Sequence, residues 1–199
     1  MEKKSAYAQF LSTVLNPHML SMLAVILLAL YSPYGDGSLD KLEALALGLV
    51  LLTIAPLSET LGDVFAGRIH LPFDDREERN EFYEDWVFFF GLAVLVFWFL
   101  GAQTMFALSL VFAETNALMW LMNKYWTKVS LHSAAVTGFT SSVIMVLGAA
   151  WWWVYLLVLP VWWARLKLKA HDWTQVIAGS AAGWIAAYVT YGFFFGSAF

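Results

Sequence analysis

The sequence predicts an all-α integral membrane protein, a single bundle of six to seven transmembrane helices. Of its 199 residues, 61% are hydrophobic and 13% are charged, whereas about a quarter of the residues in a soluble domain are charged. The charged residues are concentrated in short segments between long apolar runs. This pattern is typical of membrane-spanning chains and argues against disordered tails and nucleic-acid binders. Because the chain has no cysteine, disulfide scaffolds, thiolate metal sites and cysteine nucleophiles are excluded.

Seven apolar runs approach the length of about 20 residues that a helix needs to cross a bilayer. A polar stretch at 61–83 separates the second run from the third, and residues 1–199 form one transmembrane domain. The predicted spans lie at about 18–33, 40–60, 84–101, 104–122, 130–149, 151–167 and 173–195.

Alternating spans divide the connecting segments between two membrane faces. One face holds the N-terminus and the segments 61–83, 123–129 and 168–172. The other holds the C-terminus and the segments around 34–39, 101–103 and 150. Ten of the eleven Lys and Arg residues lie on the first face, and Lys41 is the exception. The positive-inside rule therefore predicts that the first face is cytoplasmic in a cell membrane.

The segment between the last two spans carries ionisable groups that a simple membrane anchor does not need. Arg165 closes one span and His171 opens the next. Asp172 and Gln175 have the spacing of a capping box, with Asp172 as the N-cap. His171 and Gln175 are four residues apart, so they share a helix face if the helix reaches back that far. His171 would then lie at a helix N-terminus, where free N–H groups favour an anion.

Two further polar segments lie on the same face. In the first, Ser130 has the position of an N-cap for the fifth span, with Lys128 before it and His132 in the first turn. The second is the mixed-charge run 74–79. Together these segments collect groups that could bind phosphate through charge-assisted hydrogen bonds, and two histidines could divide nucleophilic and acid roles.

Most of these groups have a structural explanation when taken alone. Lys167 and Lys169 suit helix ends at a membrane surface, and we interpret His18 and His70 as solvated or hydrogen-bonded bystanders. Four residues are stronger candidates for a functional role because they occur together on one face: Ser130, His132, Arg165 and His171.

These motifs resemble those of the type 2 phosphatidic acid phosphatases, a family of integral membrane lipid phosphatases. The family's third motif, S-R-x5-H-x3-D, is matched in spacing by Arg165, His171 and Gln175. Its second motif, P-S-G-H, keeps its Ser and His at Ser130 and His132. The run 75–80 is similar to the D-R-E-x-R run of a prokaryotic branch, in which Lys128 also recurs in a K-x-S-x-H pattern. The resemblance covers a phosphatase-like core at about 61–183.

The resemblance implies specific roles within an enzyme that needs no metal or other cofactor. His171 would be the nucleophile that forms a phosphohistidine, and His132 would be the general acid. The substrate would be a lipid phosphate of the polyprenyl diphosphate, phosphatidate or phosphatidylglycerophosphate type. The implied phosphate-binding residues are Ser130, Arg165, Lys128, Arg79 and Arg76.

Two positions depart from the family pattern. Gln175 replaces the Asp that orients the nucleophilic histidine, and Asn80 replaces the Pro after the motif arginine. The Gln175 amide oxygen can still accept an imidazole N–H and fix its tautomer. It supplies no negative charge to stabilise imidazolium, so we expect a slower enzyme or a different pH optimum.

Two other functions remain alternatives. One is a non-catalytic relative that binds or transports lipid phosphates, which Gln175 keeps open. The other is a membrane prenyl or phospho-alcohol transferase, in which Asp74, Asp75 and Glu78 would hold Mg²⁺. Such enzymes usually need a second acidic cluster on a neighbouring helix, whereas the stretch 81–85 is contiguous with the first. Channels and pumps fit less well, because ionisable residues within the spans are scarce.

Overall fold

The computed structural model describes residues 3–68 and 76–196, with side chains described within 6–68 and 78–196. These ranges form α-helices without any strand. The α-helices are α1 (Lys3–Val14), α2 (Pro17–Tyr31), α3 (Lys41–Leu49), α4 (Ala55–Phe65), α5 (Arg76–Leu100), α6 (Gln103–Tyr125), α7 (Leu131–Leu147), α8 (Val158–Lys167) and α9 (Trp173–Phe195). A π-helical turn, Val50–Ile54, joins α3 to α4, and a 3-10 helix, Ala149–Leu157, precedes α8.

Several helical segments have the dimensions of membrane spans. Helix α7 is apolar but has only 17 residues. The prediction of an all-α membrane bundle is confirmed. Within the described chain, five segments are long and apolar enough to cross a membrane: Ala6–Tyr31, Lys41–Phe65, Glu78–Leu100, Gln103–Tyr125 and Trp173–Phe195.

The predicted span at 151–167 consists of two kinds of helix. The 3-10 helix Ala149–Leu157 forms its first half and α8 forms its second half, and both pack against α7. A 3-10 helix rises about 2.0 Å per residue and an α-helix about 1.5 Å. Placed end to end, the two pieces would reach roughly 33 Å, close to the ~30 Å of a bilayer's hydrocarbon core.

Helical structure extends beyond the predicted apolar runs. Helix α4 continues to Phe65 and α5 begins at Arg76, both inside the polar stretch at 61–83. An additional helix, α1, precedes the first predicted span and ends at Val14. Asn16 then caps α2 by accepting from Met19 N–H. Main-chain hydrogen bonding does not depend on hydrophobicity, so helices continue past the apolar region that defines a span.

Helix α7 lies at the centre of the bundle, packed between α2 and α9, and nearly all of its residues are buried. Both of its threonine hydroxyls bond to its own main chain: Thr137 Oγ1 donates to the Ser133 carbonyl at 2.9 Å, and Thr140 Oγ1 to the Val136 carbonyl at 2.8 Å. Such bonds satisfy polar groups where water is excluded. Neighbouring helices shield both ends of α7, which explains how a short helix fits there.

The two predicted groups of connecting segments lie at opposite ends of the bundle. At one end, the rings of Tyr34 and Phe195 stack with centroids 3.9 Å apart. There Asp36 accepts from Met105 N–H at 3.0 Å, which ties the segment after α2 to the start of α6. The end of α8 and the starts of α5, α7 and α9 are at the other end. The predicted sharing of an end by 34–39, 101–103 and the C-terminal helix is therefore confirmed.

Candidate functional site

A cavity of about 690 Å³ opens at the end of the bundle where α5, α7 and α9 begin. Its walls come from α1, α2, α4, α5, α7, α8 and the segments before α7 and α9. It brings together residues that are up to 92 positions apart in the chain (171 − 79) and that the sequence assigned to one phosphate site. The predicted site residues lining it are Arg79, Lys128, His132, Arg165 and His171.

His171 is held just before α9 by two neighbouring contacts. Asp172 caps the helix by accepting from Gln175 N–H at 2.9 Å, as predicted. The side chain of Gln175 does not complete the predicted capping box. Its Oε1 lies 2.9 Å from Nδ1 of His171 instead. An amide oxygen only accepts, so Nδ1 carries the proton and Nε2 keeps its lone pair.

The surroundings of His171 favour the uncharged imidazole. Burial, together with the positive charges of Arg165, Arg79 and Lys128, lowers the pKa of His171 to about 4, although the bond to Gln175 opposes the shift. Both burial and nearby like charges disfavour the protonated form. The imidazole is therefore neutral at neutral pH, which is the state in which Nε2 can act as a nucleophile.

His132 lies in the first turn of α7 and meets the final turn of α1. Its Nε2 is 3.0 Å from the main-chain oxygen of Ser12 and 3.3 Å from the Ser12 hydroxyl. A main-chain oxygen can only accept, so Nε2 carries a proton. His132 therefore presents an N–H at Nε2, and it can act as a general acid when the ring is protonated on both nitrogens.

Arg165 and Arg79 enter the cavity from two different helices. Arg165, in the last turn of α8, donates from Nη1 to the Ser12 hydroxyl at 2.8 Å. Arg79, in α5, is 7% exposed and donates from Nη1 to the Val129 carbonyl at 3.4 Å. The next residue, Asn80, accepts from Asn123 Nδ2 at 2.8 Å, which fixes the first turns of α5 to the end of α6.

Two predicted phosphate-binding residues need separate comment. Ser130 is fully buried and does not line the cavity. Its hydroxyl accepts from the N–H of Ser133 at 3.3 Å and from the Ser133 hydroxyl at 3.0 Å, so it caps α7 as predicted. Contact with phosphate would require its side chain to rotate. Arg76 begins α5, and its side chain lies outside the described residues.

The cavity also contains residues that sequence reasoning missed. Ser12 belongs to α1, for which no helix was predicted, and Thr60 and Tyr83 belong to neighbouring spans. His18, interpreted as a bystander, lines the cavity and places its ring edge-on to Trp86 with centroids 5.1 Å apart. No sequence motif marks these positions, so the predicted core at 61–183 omits part of the cavity wall.

The acidic residues of α4 and α5 form a separate depression. Asp63 there forms a salt bridge with Arg68. Asp74 and Asp75 lie outside the described residues, as does His70. No group of three metal-binding side chains is assembled in the described parts of the chain. The depression is lined by Glu59, Asp63, Arg68, Glu81, Glu84 and Asp85.

An apolar crevice adjoins the cavity between α2, α5, α6 and α7. It shares Pro17 and Leu131 with the cavity wall. Its walls are mainly aliphatic and aromatic and include Trp86, the residue that contacts His18. A ligand with a charged head and an apolar tail would find a polar and an apolar environment side by side.

Comparison with known proteins does not assign a family or a function to this cavity. The resemblance suggested by the motifs therefore rests on the residues of this chain alone. No family model, curated protein or solved structure matches the chain.

Proposed function

We propose that this chain is an integral membrane phosphatase that releases phosphate from a lipid phosphate or diphosphate through a phosphohistidine. One observation carries the proposal: His171, whose Nδ1 faces the Gln175 oxygen, lies in a cavity with four cationic side chains and two further histidines. This combination supplies a nucleophile, an acid and charge stabilisation without a metal.

In the first step, Nε2 of His171 attacks phosphorus and forms an N–P bond. The bond from phosphorus to the lipid oxygen breaks, and its electron pair leaves with that oxygen. His132 enters this step as the imidazolium ion, which the bound anionic phosphate favours, because a neutral imidazole is too weak an acid to give up its N–H. Its Nε2 donates a proton to the departing oxygen and the ring becomes neutral, so the product is a neutral lipid alcohol or, from a diphosphate, a lipid monophosphate. Gln175 holds the proton on Nδ1 of His171 throughout.

In the second step, water attacks the phosphohistidine. His132, now unprotonated at Nε2, accepts a proton from the attacking water as the new O–P bond forms and the N–P bond breaks. Phosphate leaves, and both histidines return to their starting states. Arg79, Lys128 and Arg165 stabilise the negative charge on the phosphoryl oxygens in both steps.

A lipid substrate is favoured over a soluble phosphate ester by the apolar crevice. The crevice begins at the cavity wall, at Pro17 and Leu131, and lies among the membrane-spanning helices. The crevice has a volume of about 40 Å³, so it would receive the first methylene groups of a hydrocarbon chain, each of which contributes about 0.8 kcal/mol on burial. The distribution of Lys and Arg favours a cytoplasmic orientation for the cavity.

The decisive test is phosphate release from polyprenyl diphosphate, phosphatidate and phosphatidylglycerophosphate in the presence of EDTA. We expect the wild type to release phosphate from at least one of them. His171→Ala should lower the rate by at least about a thousandfold, because it removes the nucleophile. Lys167→Ala is the matched control, since Lys167 is an exposed cation at the same end of the bundle.

The outcomes separate the candidate functions. An unchanged rate in His171→Ala, or an absolute requirement for Mg²⁺, would contradict the mechanism. The non-catalytic alternative draws support from Gln175, which lacks the charge of a carboxylate. It predicts binding of these lipids to the wild type without release of phosphate, and no labelled phosphohistidine after acid-free trapping with ³²P-labelled substrate.

A further inference from the structure

The side chain of Ser12, in the N-terminal helix α1, contacts both Arg165 and His132, the proposed general acid. We propose that Ser12 is a positioning residue that holds Arg165 for phosphate binding and keeps the His132 proton on Nε2. This inference rests on the proposed function. It adds a role for a helix outside the motif-bearing segment 61–183.

The contact with Arg165 is a charge-assisted hydrogen bond. Arg165 Nη1 donates to the Ser12 hydroxyl at 2.8 Å. Within the described chain, Nε of the same guanidinium is buried without a hydrogen-bond partner. The orientation of the guanidinium thus depends strongly on Ser12. A guanidinium has five N–H donors, so this bond leaves others for phosphate oxygens.

The contact with His132 determines the position of a proton. Leu15 N–H donates to the Leu11 carbonyl, and the next carbonyl of this final turn, that of Ser12, lies 3.0 Å from His132 Nε2. Because the carbonyl only accepts, it selects the form of His132 that is protonated on Nε2. When the ring is protonated on both nitrogens, that is the proton which the leaving oxygen would receive.

The direction of α1 suits both contacts. The C-terminal end of a helix carries partial negative charge on its free carbonyls. This end of α1 faces Arg165 and His132, and α1 is held against α8 by contacts that include Tyr7 and Trp163, whose ring centroids lie 5.9 Å apart. A rigid helix therefore sets the spacing between the phosphate-binding arginine and the proton donor.

The test is a double-mutant cycle on kcat/KM with a radiolabelled lipid phosphate. Ser12→Ala should lower kcat/KM about tenfold in the wild-type background, because a hydrogen bond to a charged group is lost. In an Arg165→Ala background the same substitution should change kcat/KM less than about twofold, since its partner is already absent. Ser12→Thr should retain most activity because it restores the hydroxyl. Ser58→Ala, which removes an exposed hydroxyl bonded to its own helix, is the control.

Two outcomes overturn the role of Ser12. Equal losses in both backgrounds would indicate general destabilisation, and no loss in either would exclude any contribution. Binding of phosphatidate-containing vesicles, measured on the same variants, separates this inference from the proposed function. If no substrate is hydrolysed but Ser12→Ala weakens binding about tenfold with the same dependence on Arg165, the catalytic proposal fails and the positioning of Arg165 stands. If the wild type neither binds nor hydrolyses these lipids, both proposals fail.

Discussion

The amide of Gln175 contacts His171 without adding a charge to it. A carboxylate four residues after His171 would stabilise the imidazolium ion, whereas the Gln175 oxygen accepts the Nδ1 proton without adding charge. Burial and the nearby positive charges lower the pKa of His171 to about 4. The nucleophile should therefore remain unprotonated from about pH 5 upward, which is consistent with the expectation of an altered pH optimum.

Restoring a carboxylate should shift the acid limb of the rate profile. We expect Gln175→Glu to raise the pKa of His171 by about one unit or more, because an opposite charge favours the protonated form. Protonated His171 cannot attack phosphorus, so kcat/KM of the variant should fall at a higher pH than that of the wild type. The measurement is kcat/KM from pH 4 to 9, expressed as the ratio of variant to wild type so that the ionisation of the substrate phosphate cancels.

A neutral replacement at the same position serves as the control for this shift. Gln175→Met removes the acceptor without adding charge, so it should lower the rate without raising the pH of the acid limb. Coincident acid limbs for Gln175→Glu and the wild type would contradict the assignment of His171 as the nucleophile.

Motif spacing located the residues that lie close together in the chain, and it failed for those that do not. Arg165, His171 and Gln175 fall within eleven positions (165 to 175), so one turn and two helix ends determine their geometry. Ser12 reaches His132 across 120 positions and Arg165 across 153. Such contacts depend on how α1 packs against α8, and the local sequence does not determine that packing.

At the scale of helices, the site depends on the close approach of α7 and α9. A Cβ atom added at Gly183 would lie 2.2 Å from the Ala134 carbonyl oxygen, and one at Gly179 would lie 2.4 Å from the Ser130 carbonyl oxygen. Small residues spaced four apart allow membrane helices to approach in this way. The same contact brings Ser130 N–H to the Gln175 carbonyl at 3.1 Å, which joins the two segments that carry His132 and His171.

Adding a methyl group at this contact should disturb both stability and the site. We expect Gly183→Ala to destabilise the protein by about 1–3 kcal/mol, because main-chain atoms cannot move aside as a flexible side chain can. The measurement is the midpoint of thermal unfolding in detergent, followed by tryptophan fluorescence. Gly192→Ala on the same helix is the control, since nothing lies within 4 Å of its added Cβ. Equal midpoints for the two variants would show that the approach of α7 to α9 is not tight.

Apolar runs predicted the helices better than they predicted helix ends. Each of the seven predicted spans corresponds to helical structure, because an unpaired main-chain polar group is costly inside a membrane. Helical structure also continues beyond the predicted runs, because α5 begins at Arg76 and α1 begins at Lys3. Hydropathy also does not distinguish an α-helix from the 3-10 helix at Ala149–Leu157, since both satisfy the main chain locally.

At the scale of the whole molecule, the charged cavity and the apolar crevice form one amphiphilic surface. The cavity, which is lined by charged side chains, lies at the end of the bundle. The crevice lies deeper, among α2, α5, α6 and α7. The alternation of spans was sufficient to predict that most of the Lys and Arg residues lie on one membrane face. The crevice could not be predicted in the same way, because its walls are ordinary apolar residues whose arrangement depends on the packing of four helices.

Filling the crevice should affect long lipid substrates selectively. Ala135 lines the crevice on α7 and is only partly buried, so Ala135→Leu introduces bulk into the crevice. We expect kcat/KM for a long-chain lipid phosphate to fall about tenfold, since an overpacked contact costs about 1–3 kcal/mol. A short-chain, water-soluble phosphate ester should be hydrolysed at nearly the wild-type rate, because its phosphate still reaches His171. Ala150→Leu, at an exposed position of the 3-10 helix, is the control. An unchanged rate for the long substrate would show that the tail binds elsewhere, for example along the lipid-facing surface of the bundle, and an equal loss for both substrates would show that the substitution disturbs the site and not tail binding.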